Sequence, residues 1–236
     1  MTYSARDAFD KLAGAYEKNV DYDSPYNTDY ERPAMMKMLP ERLGGLNILD
    51  AGCSAGWYTE TFLEKGANVT AIDISHEMAE AAKRRVGGAA SILCHDLNEP
   101  LPFDDHTFDM VVSSLTLHYC KDWMPIFKEF SRVLKPKGIL LFSTHHPFMD
   151  FKNFDCKSYF EEVLLHDVWK KAGMTVEVSF YRKQMEKIIT DTSCYFAIDA
   201  LSEPRGTENF KRNHPTNYEY VMTNPHFLIV KATSRK

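Results

Sequence analysis

The stretch 46–59, Leu-Asn-Ile-Leu-Asp-Ala-Gly-Cys-Ser-Ala-Gly-Trp-Tyr-Thr, constrains the fold of this 236-residue chain more than any other segment. An apolar run ends in Asp50 and passes directly into small residues, after which a helical pattern begins near Gly56. This order predicts a buried strand, a tight turn and a helix N-terminus, where backbone N–H groups can meet a ligand. Gly52 and Gly56 permit close approaches that a side chain would prevent. Asp50 is therefore expected at the carboxyl end of a strand, where open α/β sheets bind ligands.

The glycine spacing argues against two common nucleotide-binding motifs. Counted from Gly52, the dinucleotide fingerprint Gly-x-Gly-x-x-Gly would need glycines at the positions of Ser54 and Trp57. The phosphate-binding pattern Gly-x-x-x-x-Gly-Lys-Ser/Thr does not occur in the sequence. A nicotinamide-dependent oxidoreductase stays an alternative, but it would have to bind its cofactor without the usual glycine fingerprint.

Composition and charge narrow the class of protein. The formal net charge is −5 with acids and bases interspersed, whereas nucleic-acid-binding proteins usually carry a basic stripe. No apolar segment approaches membrane-spanning length, and the opening Met-Thr-Tyr-Ser begins no secretory signal. The five cysteines are scattered without a Cys-x-x-Cys pair, which is typical of reduced thiols. We expect a single-domain cytoplasmic protein with no nucleic-acid or membrane partner.

Apolar runs alternate with helical patterns along the first two thirds of the chain, which indicates a doubly wound α/β sheet. The expected strands cover 47–50, 69–73, 91–95, 108–114 and 139–143, and the expected helices cover 8–16, 32–39, 57–65, 76–86 and 123–134. Asp73 ends the second strand, where a carboxylate can accept hydrogen bonds from both ribose hydroxyls. Ser113 and Ser114 end the fourth strand, at the same edge of the sheet.

Asp50, Gly52 and Gly56 together resemble motif I of the class I S-adenosylmethionine-dependent methyltransferases, in which an acidic residue is followed by alternating glycines. Ser54 stands where many members have the middle glycine. The Leu-Pro-Phe string at 101–103 and the Leu-Lys-Pro-Lys-Gly turn at 134–138 also resemble that family. Because matching segments run in order from 46 to 144, the chain is similar to its type 11 small-molecule branch.

The resemblance implies a Rossmann-like, seven-stranded, mostly parallel sheet whose last strand is antiparallel and lies between its two predecessors. It implies S-adenosyl-L-methionine as cofactor, with an acid at Asp96 for the adenine amino group and the backbone of Leu97 against the ring. Ser113 and Ser114 are expected beside the sulfonium. His95 is expected to be a bystander. The full cofactor-binding set is predicted as Tyr16, Asp50, Ala51, Gly52, Ser54, Gly56, Asp73, Ile74, Asp96, Leu97, Ser113 and Ser114.

The remaining segments are expected to elaborate the sheet. Residues 1–43 form a helical N-terminal segment with a polar loop at 20–27, and its tyrosines either pack on a helix face or form a lid. Residues 44–146 form the cofactor-binding core. An inserted cap at 147–182 carries a β-hairpin with strands 163–169 and 175–181. Residues 183–236 complete the sheet, with a helix at 182–189, strands at 194–201 and 226–232, and a polar stretch between them.

Methyl transfer from a sulfonium is an in-line displacement, so positioning and removal of a nucleophile's proton account for most of the catalysis. His118, His145 and His146 follow predicted strand ends and are the candidate bases, because histidine titrates near neutrality. The alternative is that the adjacent pair points apart, one packed and one solvated. No metal site is expected, because no ligand-spaced pair occurs.

We therefore predict a methyltransferase for a small-molecule acceptor. A non-catalytic S-adenosylmethionine sensor is the alternative. The acceptor, the attacked atom and the oligomeric state are open at this point.

Overall fold

The fold is organised around a seven-stranded sheet in a computed structural model that describes residues 4–171 and 173–236. The strands are β1 (Asn47–Ala51), β2 (Asn68–Asp73), β3 (Ser91–Cys94), β4 (Phe108–Ser113), β5 (Leu134–His145), β6 (Val163–Lys171), β7 (Met174–Arg182), β8 (Phe196–Ser202) and β9 (Phe227–Ser234). The sheet order is β3-β2-β1-β4-β5-β9-β8, and β6 pairs with β7 in a separate hairpin.

The five strands β3, β2, β1, β4 and β5 are parallel to one another, whereas β9 is antiparallel to both of its neighbours, β5 and β8. The predicted α/β class, the insertion of the last strand between its two predecessors and the separate hairpin are confirmed. The reversal of strand order lies between β1 and β4, the position at which doubly wound sheets bind ligands.

Helices cover both faces of the sheet. They are α1 (Ala5–Ala15), α2 (Asp21–Asp23), α3 (Arg32–Met38), α4 (Trp57–Glu64), α5 (His76–Val86), α6 (Trp123–Val133), α7 (Pro147–Asn153), α8 (Met185–Tyr195), α9 (Glu208–Asn213) and α10 (Pro215–Thr223). Ser75 begins α5 by accepting a hydrogen bond from the backbone of Met78, and Asp122 begins α6 in the same way. None of these helices, within the two described ranges, has the length and apolarity that a membrane crossing requires.

The central strands are nearly continuous apolar runs because helices cover them on both faces. On one face, Phe127 and Phe130 of α6 pack with Phe142 of β5 in the largest buried cluster. On the other face, Phe62 of α4 and Met35 of α3 lie in a second buried cluster. The two layers hold the carboxyl ends of the strands at one edge.

Three local predictions were wrong. The expected loop at 20–27 is mostly helical, with π-helical turns at Tyr16–Val20 and Asn27–Glu31 on either side of α2. Ion pairs of Asp21 with Arg32 and Arg85 stabilise this irregular helix. Such long-range contacts cannot be predicted from the periodicity of the sequence. The helix expected at 182–189 begins later, at Met185, and the polar stretch before the last strand contains α9 and α10.

One further boundary differs from the expectation. The turn predicted at 134–138 lies inside the bounds of β5, where the pairing with β4 shifts register between Phe108 and Met110. Lys137, with a φ of 60°, carries the kink. The residues predicted to form a turn therefore form an irregular, kinked segment within one strand.

The hairpin β6–β7 packs against the N-terminal helix. Val176 and Val178 of β7 share a buried cluster with Leu12 of α1. At the hairpin's end, Lys171 donates a hydrogen bond of 3.1 Å to the hydroxyl of Tyr16. Residues 1–3 of the expected lid and Ala172 in the hairpin turn lie outside the described residues. These contacts make a common roof over the ligand-binding edge of the sheet.

Candidate functional site

A cavity of about 580 Å³ lies at the carboxyl ends of the parallel strands. This volume falls in the range of small-molecule sites, about 300–1,000 Å³. The loop after β1 and the residues at the ends of β2, β4 and β5 form its floor. Its roof is contributed by the N-terminal helices and the hairpin, through Phe9, Tyr16, Tyr26, Asp167, Trp169 and Lys171.

The loop after β1 is shaped by glycine at two close approaches. Gly52 has a φ of +86°, and a Cβ there would lie 2.2 Å from the hydroxyl oxygen of Thr116. Gly56 also has a φ of +86°, and its Cβ would lie 3.0 Å from the Cβ of Ala82 on α5. Ser54, between them, adopts the left-handed region with a φ of 50°. Glycine is thus required here by the packing of the protein on itself, not only by the approach of a ligand.

Asp73 fastens this loop to the end of β2. Its carboxylate accepts hydrogen bonds from the backbone N–H of Ser54 at 2.8 Å and of Ser75 at 2.9 Å. Burial raises the pKa of Asp73 to about 6. Each carboxylate oxygen accepts a single bond from these groups, so each keeps acceptor capacity toward the cavity that it lines.

Most of the other predicted cofactor-binding residues also line the cavity. They are Tyr16, Gly52, Ser54, Ile74, Asp96, Leu97 and Ser114. Asp96 accepts two hydrogen bonds from Asn98 through one carboxylate oxygen. His95, expected to be a bystander, lines the cavity as well, and its Nε2 is buried without a hydrogen-bond partner. Beside Asp96, the His95 Nε2 is therefore a polar atom that could form a hydrogen bond with a ligand.

Four of the predicted cofactor-binding residues do not line the cavity, so their contact with a cofactor stays a prediction. Asp50 is buried and accepts a 2.6 Å hydrogen bond from the Thr59 hydroxyl, and burial raises its pKa to about 7. Ala51 is also buried, and its carbonyl accepts a hydrogen bond from the Ser113 hydroxyl. Both serve to join β1 to its neighbours. Gly56, at the start of α4, serves the contact with α5.

A buried carboxylate that sequence patterns did not single out lines the cavity under the roof. Glu31 accepts hydrogen bonds from the hydroxyls of Tyr58 at 2.9 Å, Ser114 at 2.8 Å and Ser143 at 2.5 Å. Burial raises its pKa. The adjacent Arg32 stacks over Trp57 at 4.1 Å and pairs with Asp21. Glu31 is the last residue of a π-helical turn, and no regular spacing marked it in the sequence.

Two of the three candidate histidines meet in the cavity wall. The rings of His118 and His145 stack with centroids 4.0 Å apart and an interplanar angle of 18°. Burial lowers the pKa of His118 well below its usual value. His146 does not line the cavity, and its candidacy as a base stays a prediction that this geometry does not support. Its Nδ1 accepts from the backbone of Phe148 and its Nε2 lies 2.9 Å from Glu203, so it begins α7.

Within residues 4–171 and 173–236, no group of three or more His, Cys, Asp and Glu side chains is arranged to hold a metal ion. The arrangement instead offers hydrogen-bond acceptors along the loop after β1 and, further on, an aromatic chamber with two imidazoles. Phe154, Phe180 and Tyr119 belong to that chamber.

Comparison with known proteins bears on the same part of the chain. A family model described as "Methyltransferase domain" matches residues 49–142. A malonyl-[acyl-carrier protein] O-methyltransferase of Buchnera aphidicola is 38% identical over 104 residues, which are 44% of this chain and 41% of the relative. One of the same description from Serratia marcescens is 32% identical over 144 residues, 58% of this chain and 51% of the relative. The chain thus spans about half the length, or less, of these curated relatives.

A solved structure extends the likeness to the whole fold. An S-adenosylmethionine dependent methyltransferase from Mesorhizobium loti superimposes with a TM-score of 0.68 at 26% identity. The match covers 89% of this chain and 98% of that one. The likeness therefore extends beyond residues 49–142 to most of the chain.

Proposed function

Because the chain belongs to the class I S-adenosylmethionine-dependent methyltransferases, we propose that it transfers a methyl group from S-adenosyl-L-methionine to a small-molecule acceptor held in the roofed cavity. The observation that carries the proposal is the continuity of this cavity. It runs from the loop after β1 and Asp73 into an aromatic chamber beneath the hairpin. One space can therefore hold a cofactor and an acceptor side by side.

The residues present fit the cofactor. Asp73 retains acceptor capacity for ribose hydroxyls, and His95 beside Asp96 keeps an unpartnered nitrogen for a polar ring. The acids Glu31 and Asp73 in the wall suit a cationic ligand. The cofactor supplies a methyl group bonded to a positively charged sulfur. Tyr16, Gly52, Ser54, Ile74, Leu97 and Ser114 are the further residues that we assign to holding it.

The acceptor side supports a small molecule in preference to a polymer. Residues 1–43 act in this proposal as a lid and residues 147–182 as a cap, and both contribute to the cavity roof. The contact of Lys171 with Tyr16 joins the two segments over the site. A roof made in this way excludes water and holds the acceptor in line with the methyl group.

Binding and turnover test the proposal in sequence. Calorimetry should show binding of S-adenosylmethionine and S-adenosylhomocysteine, and none of nicotinamide dinucleotides. Incubation with methyl-tritiated cofactor and separate fractions of metabolites, protein and nucleic acid should then place the label in the metabolite fraction.

Each other outcome has a distinct meaning. Label in protein or nucleic acid alone would contradict the small-molecule acceptor. Binding without transfer to any fraction would favour the sensor. Binding of a nicotinamide dinucleotide in place of S-adenosylhomocysteine would contradict the cofactor assignment.

A further inference from the structure

The chamber beyond the cofactor side contains a buried imidazole–carboxylate pair. His145 ends β5, and Asp150 lies on α7, five residues later. The His145 Nδ1 and the Asp150 Oδ1 are 3.4 Å apart, and within the described residues neither atom makes a hydrogen bond, to the other or to any third group. Asp150 is only 2% exposed. A proton on Nδ1, together with a small rotation of the imidazole ring, would let each of these two atoms satisfy the other.

This pairing leaves the other ring nitrogen of His145 for the cavity. The ring lines the cavity and keeps 13% of its side chain exposed. Among the residues that the structure describes, Nε2 has no hydrogen-bond partner and is not one of the fully buried atoms. With the proton on Nδ1, Nε2 carries a lone pair directed away from Asp150. That is the arrangement a general base requires.

The aromatic surroundings fix the plane of the ring. His118 stacks on one side at 4.0 Å, and Phe180 meets the ring edge-on with centroids 4.6 Å apart. His118 has its own Nε2 buried without a partner. Since burial lowers the pKa of His118, it stays neutral and acts as a wall rather than as the base. Other titratable groups near His145 are Tyr119, beneath His118, and His226, before β9.

The charges of the cavity disfavour an anionic acceptor. Five acids line it, namely Asp21, Glu31, Asp73, Asp96 and Asp167. The lining cations in the described part of the chain are Arg32 and Lys171. Arg32 is bound to Asp21 at 2.6 Å, and Lys171 is held by Tyr16 and lies 4.3 Å from the centre of the Trp169 ring. Among the described residues, none of the lining cations is free to meet a carboxylate acceptor in the His145 chamber.

We propose that the acceptor is a neutral aromatic hydroxyl compound, and that His145, oriented by Asp150, removes its hydroxyl proton as the methyl group is transferred. The inference rests on the proposed function. The acceptor O–H bond breaks and its proton moves to Nε2 of His145. The acceptor oxygen forms the new bond to carbon, and the sulfur–carbon bond of the donor breaks with its electron pair returning to sulfur. A neutral amine already offers a lone pair, so a base in this position fits a hydroxyl acceptor better.

The acceptor class is tested with methyl-tritiated cofactor and a panel of phenols and hydroxylated heteroaromatics of graded acidity. Malonate and benzoate are the anionic probes. The wild-type protein should methylate at least one neutral hydroxyl compound and neither anion. Transfer to an anion alone, or to no member of the panel, would overturn the acceptor assignment.

The base is tested on the accepted compounds with His145→Gln. Removal of a general base should lower kcat by about 10²–10⁴-fold for acceptors that keep their proton at the assay pH. Among the neutral hydroxyl compounds that the wild type accepts, the more acidic ones should lose less, because their proton leaves more readily. His76→Gln, on the exposed face of α5, is the matched control. Equal losses for weakly and strongly acidic acceptors would remove His145 from proton transfer.

Asp150 is a positioning residue in this scheme, so Asp150→Asn should lower kcat by roughly 100-fold through lost alignment, with KM little changed. The loss should be larger for weakly acidic acceptors than for more acidic ones, because the tautomer that leaves Nε2 of His145 as the acceptor is then less favoured. Asp155→Asn, on the exposed segment after α7, serves as control. A loss in a folded Asp150→Asn protein that does not depend on the acidity of the acceptor would contradict the role.

A spectroscopic measurement tests the pair without any acceptor. Imidazole ¹⁵N shifts, assigned by comparison with His145→Gln, should show His145 protonated at Nδ1 in the wild type and not in Asp150→Asn. Protonation at Nε2 in the wild type would overturn the pair. Calorimetry with S-adenosylhomocysteine on the same samples separates the two hypotheses. Retained binding with the wrong tautomer refutes the pair alone, whereas lost binding in the wild type refutes the proposed function.

Discussion

At the end of β2, the carboxylate of Asp73 already accepts two backbone hydrogen bonds and still faces the cavity. Asp73→Asn should weaken binding of S-adenosylhomocysteine by about 1.5–3 kcal/mol, the scale of hydrogen bonds to a charged group. Calorimetry measures the change, with Asp104→Asn on an exposed loop as control. Unchanged affinity in a folded variant would place the ribose elsewhere.

The pH dependence follows from the same carboxylate. Because burial raises its pKa to about 6, part of the wild-type population is protonated at pH 5 to 6. Hydroxyl donors bind the ionised form, so cofactor affinity should rise with pH through about 6 and then level off. Asp73→Asn should flatten this rise. The sign reverses for the free protein: the stability that Asp73 contributes is full below about pH 4 and is lost as pH rises through about 6.

Ser54 lies in the left-handed region, which costs an L-residue roughly 1–2 kcal/mol. Ser54→Gly relieves that cost and keeps the N–H that Asp73 accepts, so binding of S-adenosylhomocysteine should be retained. Ser54→Ala is the matched variant, since it removes the hydroxyl and keeps the backbone cost. Thermal unfolding should rank glycine above alanine. A loss of affinity in Ser54→Gly alone would show that the serine hydroxyl contacts the ligand.

At the scale of elements, the start of α4 depends on a close approach to α5. Gly56→Ala places a methyl group 3.0 Å from the Cβ of Ala82. Gly45→Ala is a matched control, because Gly45 has a φ of +80° and an added Cβ meets nothing within 4 Å. The control should lose roughly 1–2 kcal/mol through backbone strain alone. Gly56→Ala should lose about 1–3 kcal/mol more through overpacking.

Denaturant unfolding of the two alanine variants measures the difference. Equal losses in Gly45→Ala and Gly56→Ala would mean that α4 and α5 move apart at negligible cost. In that case the need for glycine at position 56 would come from the approach of a ligand and not from the packing of α4 against α5.

The sheet was predictable because its strands are short apolar runs bounded by polar residues and turns. Asp73 was found for the same reason, since it ends such a run. Glu31 was not found, because its contacts with Ser114 and Ser143 depend on how the strands are ordered in the sheet. It also lies in a π-helical turn, which has no regular sequence periodicity.

The helices α9 and α10 were missed because they are short and largely exposed, so they carry no clear apolar periodicity and only residue propensities could have indicated them. His145 was predictable as a strand-end residue, but its pairing with Asp150 depends on how α7 leaves the sheet.

At the scale of the whole molecule, the roof is made by segments about 150 residues apart in the chain that pack on each other. The Phe9 and Trp169 rings lie 6.4 Å apart, and Lys171 contacts Tyr16. If the N-terminal segment is a lid, it should not close alone. Hydrogen exchange with and without S-adenosylhomocysteine should show protection rising together in 5–31 and in 163–182.

A change confined to one segment would contradict this coupling. Equal exchange in both states would leave the N-terminal segment a packed structural helix. The strands β1 and β4 serve as the internal reference, because their amides are buried with or without a ligand.

The position of β9 also dictates an order of events during synthesis. β8 lies at the sheet edge and its partner is β9, which also covers β5. While residues 227–234 are still inside the ribosome, β5 and β8 each have an unpaired edge, because the strand that lies between them in the folded sheet has not yet emerged. Such edges are the sites at which incomplete chains pair wrongly. The sheet is completed only when β9 pairs with both strands. We therefore expect a chaperone that shields β5 and β8 during that interval to protect the nascent chain more than one that acts on the N-terminal half.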